Sequence, residues 1–178
     1  MHIEIIKAKA DHAPAIAYTG RTAFSEAFAH LFQSRLELNE YLEYTYCVDK
    51  IAGSIRKENN IYFLAFVDGL PAGFAKVKGH SLNDQLDSVF QSELQKLYVL
   101  KQYHGTGVGQ SLMDKVIGLV ESIEPECLWL DTYINNEKAI RFYERNGFQK
   151  NGKHHFTIGT QTFEYFLMVM PVVVPHAS

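Results

Sequence analysis

Cysteine is scarce. Cys47 and Cys127 are the only two among 178 residues, and they do not form a CxxC pair. That argues against a disulfide framework, and in a reducing compartment both read as inert packing residues. No apolar run approaches the roughly 18 residues that a membrane helix needs. The opening MHIEIIKAKADH lacks the basic start, apolar stretch and small-residue cleavage site of a secretory leader. The expected compartment is the cytoplasm, with no membrane partner. An excess of positive charge is missing too: 17 Lys and Arg against 20 Asp and Glu leave a formal charge of −3. A nucleic-acid partner is therefore not expected, whereas cationic partners such as polyamines are weakly favoured. Repeats, low-complexity tracts and linkers are absent.

Hydrophobic residues make up 47% and charged residues 21%, the balance of a globular chain with material for a substantial core. A single domain over 1–178 is expected. IEIIKA alternates as a first strand. A helical region follows from Asp11, carrying Ile16, Phe24, Phe28 and Leu31, and LELNEYLEYTYCVDKIAGSIRKEN reads as one or two more helices. NIYFLAFV, the turn Asp68-Gly69 and LPAGFAKVKG predict a β-hairpin, because Asp-Gly tolerates the positive φ of tight turns. HSLNDQLDSVFQ is a loop or short helix, and SELQKLYVL a strand. A helix follows with Val108, Leu112, Val116 and Leu119 or Val120 on one face. ECLWLDTYI is a strand, NNEKAIRFYERN a helix stopped by Gly147, and FTIGTQTFEYFLMVM a closing hairpin around Gly159-Thr160. The order predicts an α/β (α+β) fold with a mixed sheet, whose central strand–helix–strand unit is parallel and right-handed.

The segment that carries chemistry is ELQKLYVL followed by HGTGVGQSLM. Gly105, Gly107 and Gly109 let the backbone turn tightly and approach a ligand, with N–H groups gathered where a helix begins and phosphate binds well. A nucleotide P-loop would need GxxxxGK[ST], and that lysine is absent. A dinucleotide fingerprint would need a third glycine, where Leu112 stands.

This loop, His104-Gly105-Thr106-Gly107-Val108-Gly109, resembles the Q/R-x-x-G-x-G/A loop of the GNAT superfamily of CoA-dependent N-acetyltransferases, with His104 where Gln or Arg is usual. The segment Asn136-Glu-Lys-Ala139-Ile-Arg-Phe-Tyr143-Glu-Arg-Asn-Gly147-Phe148 is similar to that family's N-x-x-A-x-x-F-Y-x-x-x-G-F, and DGLPAGFAKV resembles its second and third strands. RTAFSEAFAH, ELQKLYVL and WLDTYINNEKAIRFYERNGFQKNGKHHFTIG further resemble PaiA-type bacterial polyamine acetyltransferases. The resemblance implies a twisted sheet of about seven strands, mostly antiparallel, with a central parallel pair splayed to admit CoA. It implies acetyl-CoA as cosubstrate and a small-molecule primary amine as acceptor, with spermidine or spermine as examples. An acetyl-CoA-binding sensor of the same fold without turnover is the alternative. A homodimer is the expected assembly.

An alkylammonium, with a pKa near 10.4, must lose a proton before it attacks a thioester. Glu93, at the start of the strand that leads to the loop, is the candidate base or proton relay; otherwise it is a strand-end charge. The resemblance puts Tyr143 at the family tyrosine that meets the departing thiolate, against the alternative of a ring packed beneath its helix. It makes the backbone of Leu97, Tyr98 and Val99 the partner of the pantetheine arm, with His104, Gly105, Thr106, Gly107, Val108 and Gly109 around the phosphates. Asn136 either caps its helix or contacts the arm. Lys101, Lys115, Lys138 and Arg141 are further phosphate candidates, and Glu26 and Glu37 candidates for a cationic acceptor. Phe24, Phe28, Tyr41, Tyr44 and Tyr46 read as core, some lining the acceptor pocket. His154 and His155 do not read as metal ligands, since neighbours on a strand point to opposite faces; no metal is expected.

Overall fold

A computed structural model describes residues 1–173, so positions 174–178 of the expected domain lie outside the described residues. Seven strands form one sheet in the order β1-β2-β3-β4-β5-β7-β6. The elements run β1 (Ile3–Lys7), α1 (Ala13–Phe28), α2 (Arg35–Thr45), α3 (Val48–Ile55), β2 (Asn60–Val67), β3 (Leu70–Lys78), β4 (Gln91–Val99), α4 (Val108–Ile123), β5 (Cys127–Tyr133), α5 (Glu137–Arg145), β6 (Gln149–Ile158) and β7 (Gln161–Pro171). β4 and β5 are parallel; β1–β4 and the β5-β7-β6 set are antiparallel among themselves. The mixed sheet expected from the sequence is present. The stretch from Asp11 opens with a short 3-10 turn at Ala10–His12 before α1, and HSLNDQLDSVFQ is loop up to Phe90, its last residue Gln91 opening β4.

Both faces of the sheet are covered. β2 shows why its sequence is nearly all apolar rather than alternating. Ile61, Phe63, Ala65 and Val67 enter a core shared with Val108, Leu112, Val116 and Val120 of α4 and Ile140 of α5. The intervening Tyr62 and Leu64 enter a second core with Ile16 and Phe24 of α1, Leu38 and Leu42 of α2 and Ile51 of α3. The Asp68-Gly69 turn has φ of 49° and 83°, the positive pair of a tight hairpin turn.

Two irregularities set up the site. The parallel ladder between β4 and β5 spans only Gln91–Glu93 against Cys127–Trp129. Beyond it the strands part, and the edges from Gln95 to Val99 and from Leu130 to Tyr133 face a gap. The register of β3 against β4 also slips between Lys76↔Lys96 and Val77↔Leu94, so Gln95 is an extra residue on β4. Leu94, Leu97 and Val99 pack in or against the α4 core, while Glu93, Gln95, Lys96 and Tyr98 line a cavity on the other face. The bulge turns two consecutive residues to one side and so brings Glu93 into phase with Lys96 and Tyr98.

Candidate active site

The glycine loop lies where the gap meets α4. A 3-10 turn at Lys101–Tyr103 follows β4, and Gly105 and Gly107 then adopt φ of 74° and 95°. Gly107 is the N-cap of α4, so the first N–H groups of that helix have no intrahelical acceptor and are available to an anion. An added Cβ at Gly107 would meet nothing nearer than Ile3 Cδ1 at 4.0 Å; the glycine is required by backbone conformation rather than by crowding from the protein. The exposed His104 turns back, its Nε2 2.9 Å from the Val99 carbonyl oxygen. The residue that departs from the family pattern thus ties the loop to the end of β4. Val108 is fully buried beneath the helix, so its backbone rather than its side chain faces the loop. Thr106 Oγ1 donates to the Tyr103 carbonyl at 2.6 Å.

Backbone pairing decides which groups of β4 face the gap. Leu100 N–H donates to Ala72 O at 2.9 Å, and the register pairs Tyr98 with Phe74 and Lys96 with Lys76. Alternation along an antiparallel pair then directs the Tyr98 N–H and C=O toward β3, and those of Leu97 and Val99 toward the gap. Of the three residues expected to pair with a cofactor arm, Tyr98 is therefore corrected: its backbone is spent on β3. Its side chain instead enters the cavity wall, where burial, the largest cause, and neighbouring tyrosines push its phenol well above the ordinary value.

On the face of α1–α3 lies a cavity of about 710 Å³. Tyrosines dominate its wall, with Tyr41, Tyr44, Tyr46, Tyr62, Tyr98 and Tyr165 contributing. Gly20 on α1 lets the Tyr46 ring approach so closely that a Cβ there would overlap it. Glu93 is on this wall, half-buried, and its Oε2 accepts from Ser81 Oγ at 2.7 Å. Ser81 also accepts at its carbonyl from Trp129 Nε1 at 2.8 Å, which fixes the loop after β3 against β5. Gln91, 1% exposed, holds the rest of that loop. Its side-chain nitrogen donates to Ser88 O at 2.7 Å, with longer bonds to Asn83 O and Leu86 O, and its oxygen accepts from Asn83 N–H at 2.7 Å.

Lys76, Lys96 and Asp131 are among the cavity residues that were not sequence candidates for the site. Lys76 and Lys96 line it as direct cross-strand partners. Burial, then a neighbouring lysine, lowers each to about 8. Asp131, on the gap side of β5, lies 3.2 Å from His154 Nδ1; burial raises its carboxyl to about 6, against the pull of the histidine. His155 meets Glu164 instead, 3.3 Å away, and no cluster of three potential metal ligands occurs among the described residues. A lysine inside the apolar runs AGFAKVKG and LQKLYVL was the available signal. Their meeting depends on register, which the sequence does not print.

Tyr143 is 9% exposed, its ring between Phe142 and Phe148 at 5.5 and 5.8 Å, in the core shared by α4 and α5. Burial raises its phenol, which therefore stays protonated at neutral pH, and charge on its oxygen would be felt at Tyr98. Asn136 caps α5, its Oδ1 accepting from Ala139 N–H at 3.3 Å. Glu26 is drawn elsewhere: its Oε2 accepts from Lys101 N–H at 2.8 Å, and it is not in the cavity wall. Glu37 does line the cavity. Lys101, Lys115, Lys138 and Arg141 are exposed, Arg141 reaching Glu137 at 3.4 Å. Phe24 and Tyr46 are core, as expected, whereas Tyr44 is 71% exposed at the cavity rim.

Residues 23–148 match the Acetyltransferase (GNAT) family. An uncharacterized N-acetyltransferase of Lactobacillus delbrueckii subsp. lactis is 23% identical over 171 residues, which are 96% of this chain and 98% of that protein. A spermine/spermidine N(1)-acetyltransferase of Bacillus subtilis is 34% identical over 64 residues, 35% of this chain and 42% of that protein. Among solved structures, the PaiA N-acetyltransferase from Thermoplasma acidophilum in complex with coenzyme A superposes with a TM-score of 0.77 at 20% identity, over 96% of this chain and 99% of that one.

Proposed function

The chain belongs to the Acetyltransferase (GNAT) family, and from that premise we propose that it moves the acetyl group of acetyl-CoA to the primary amine of a small molecule. The observation that carries this reading is the meeting of three features: the split between β4 and β5, the glycine loop at its end, and the cavity on the other face of β4. The free N–H and C=O of Leu97 and the N–H of Val99 can hold an extended pantetheine arm as an added strand. The N–H groups around Gly105, Thr106, Gly107, Val108 and Gly109 can take the phosphates, with His104 bracing the loop. Asn136, its oxygen spent on the cap, has only its amide N–H groups to offer the arm.

In the reaction the amine nitrogen attacks the thioester carbonyl carbon. The C–N bond forms, the C–S bond breaks, and the thiolate leaves. Glu93, held by Ser81, receives the ammonium proton directly or through water, and the second proton that nitrogen loses as the amide forms makes good, through water, the one delivered to the sulfur. The Val99 N–H polarises the carbonyl, and the Tyr143 phenol supplies a proton or hydrogen bond to sulfur. The acceptor enters through the tyrosine-walled cavity. A polyamine is the second reading, favoured by the spermine/spermidine acetyltransferase of Bacillus subtilis and by the carboxylates of Glu37, Glu40, Glu93 and Asp131 in the wall.

An acceptor screen with acetyl-CoA and a thiol-detecting reagent tests the proposal. Amine-dependent thiol release is expected. Binding of acetyl-CoA without release for any amine would leave a sensor. Glu93→Gln is expected to lower kcat about 10²-fold and to remove the acidic limb of the pH profile.

A further inference from the structure

Lys76 and Lys96 face one another across β3 and β4 on the cavity wall. Like charges placed directly opposite destabilise an antiparallel pair, and an ammonium withdrawn from water needs a partner. Neither lysine forms an ion pair among the described residues. Each rests near a tyrosine ring instead, Lys96 Nζ 5.3 Å from the centroid of Tyr46 and Lys76 Nζ 5.6 Å from that of Tyr62. The Tyr46 hydroxyl, on the same wall and in a residue only 2% exposed, makes no hydrogen bond of good geometry, although the Tyr98 phenol is close enough to act on it.

The carboxylates of the cavity are in the opposite condition. Glu37 Oε1 accepts from Thr160 N–H and Oγ1 at 3.2 and 2.9 Å. Glu93 accepts from Ser81, and Asp131 is beside His154. Glu40 is exposed. The cavity therefore presents unused donors deep inside, while three of its four carboxylates, Glu37, Glu93 and Asp131, already have a polar neighbour. A polyamine would bring further positive charge to a wall that already holds three lysines, Lys50 at the rim residue Tyr44 and Lys76 and Lys96 on the sheet.

We propose that Lys76 and Lys96, with the Tyr46 hydroxyl, form an anion subsite in the acceptor cavity, so that the acceptor is a primary amine that also carries a carboxylate or phosphate group. This rests on the acetyl-transfer reading above and narrows its substrate class. Such a group would satisfy both ammonium charges and the orphan hydroxyl at once, and would fix the distance from its own anchor to the attacking nitrogen.

The test is steady-state thiol release from acetyl-CoA with three acceptors of similar length: 4-aminobutanoate, 3-aminopropyl phosphate and 1,4-diaminobutane. Wild-type protein should prefer one of the two anionic acceptors over the diamine by at least about tenfold in kcat/KM, and which one distinguishes carboxylate from phosphate. Lys96→Met and Lys76→Met keep the aliphatic stems. Each should lower kcat/KM for the anionic acceptor about 10- to 100-fold, the range of a hydrogen bond to a charged group, chiefly through KM, and should raise it for the diamine. Melting temperatures should hold or rise, because a partly buried ammonium placed directly opposite a like charge is removed. A wild-type preference for the diamine, equal losses for all acceptors in the variants, or a fall in melting temperature would overturn the subsite. Thiol release from none of the three, when other amines of the wider screen do release thiol, would overturn the subsite and leave the acetyl-transfer reading standing, whereas no release with any amine, with acetyl-CoA still bound by calorimetry, would overturn the acetyl-transfer reading itself.

Discussion

Replacing Tyr143 with Phe deletes one oxygen from a ring that is 9% exposed and wedged between Phe142 and Phe148. Burial is the sole cause of its raised pKa, with no side-chain hydrogen bond offsetting it. The fold should lose little: a change within about 1 kcal/mol, or roughly 2–4 °C for a chain of this size. If the phenol protonates the departing thiolate, the chemical step should slow about 10²-fold, equivalent to about 2.7 kcal/mol of barrier. The low end of the acid–base range applies because a thiol, with a pKa near 8.5, leaves readily. The assay is single-turnover thiol release with enzyme in excess over acetyl-CoA and saturating acceptor, so that product release does not mask chemistry. Because burial holds the phenol above its ordinary value of 10, the loss should be constant from about pH 6 to 9, a window that lies below that ordinary value. A Phe variant with the wild-type single-turnover rate would leave Tyr143 as packing alone, with the thiolate departing unaided.

Gly107→Val places a β-branched side chain at φ 95°, a conformation that costs a non-glycine residue about 1–3 kcal/mol; calorimetry should show CoA affinity reduced by tenfold or more, and unchanged affinity in a folded variant would remove the loop from cofactor binding. Gln91→Ala strips the loop after β3 of its central hydrogen bonds and should destabilise by about 2–3 kcal/mol, read as a melting temperature roughly 4–12 °C lower; an unchanged value would mean the loop orders itself. Burial raises the Asp131 carboxyl from its ordinary value to about 6. The folded state therefore holds its proton more tightly than the unfolded chain, and the associated stability is present below about pH 4 and lost as pH rises through 6. Asp131→Asn should escape that loss, so its melting temperature relative to wild type should climb between pH 4 and 7; a flat difference would deny the perturbed carboxyl.

Much of the frame could be read from local pattern. The Asp68-Gly69 turn, the apolar face of α4 and the glycines before it are features of consecutive residues, and each lies where the pattern places it. Glu93 at the cavity was legible for the same reason, since a strand-end carboxylate just upstream of a ligand loop has few places to go. What escaped depends on pairing between distant strands. Lys76 meets Lys96 only after the register slip. Asp131 and His154 meet although neither strand that carries them pairs with the other. Gln91 is a polar residue in a strand whose role lies in irregular backbone, which has no period to recognise. The assignment of Tyr98 to the cofactor edge failed on a parity that Leu100 and Ala72 decide.

The extra residue in β4 makes that strand a reading frame. Side chains on a strand alternate between faces, so the compartment that receives Glu93 is fixed by the number of residues between it and Tyr98 and by the bulge that absorbs one of them. Gln95 itself is exposed, and many substitutions there would leave the count, and hence the carboxylate, untouched. Deleting it would restore strict alternation. Glu93, Lys96 and Tyr98 would then still fall on the cavity face and Leu94, Leu97 and Val99 on the α4 face; it is Gln95 without the bulge that would part Glu93 from Tyr98 and send one of them into the apolar layer. β4 is thus tolerant of spelling at this position and, through the bulge, of one residue of length, while the irregular loop between β3 and β4, with no alternation to preserve, can change length beyond the residues that Gln91 and Ser81 secure.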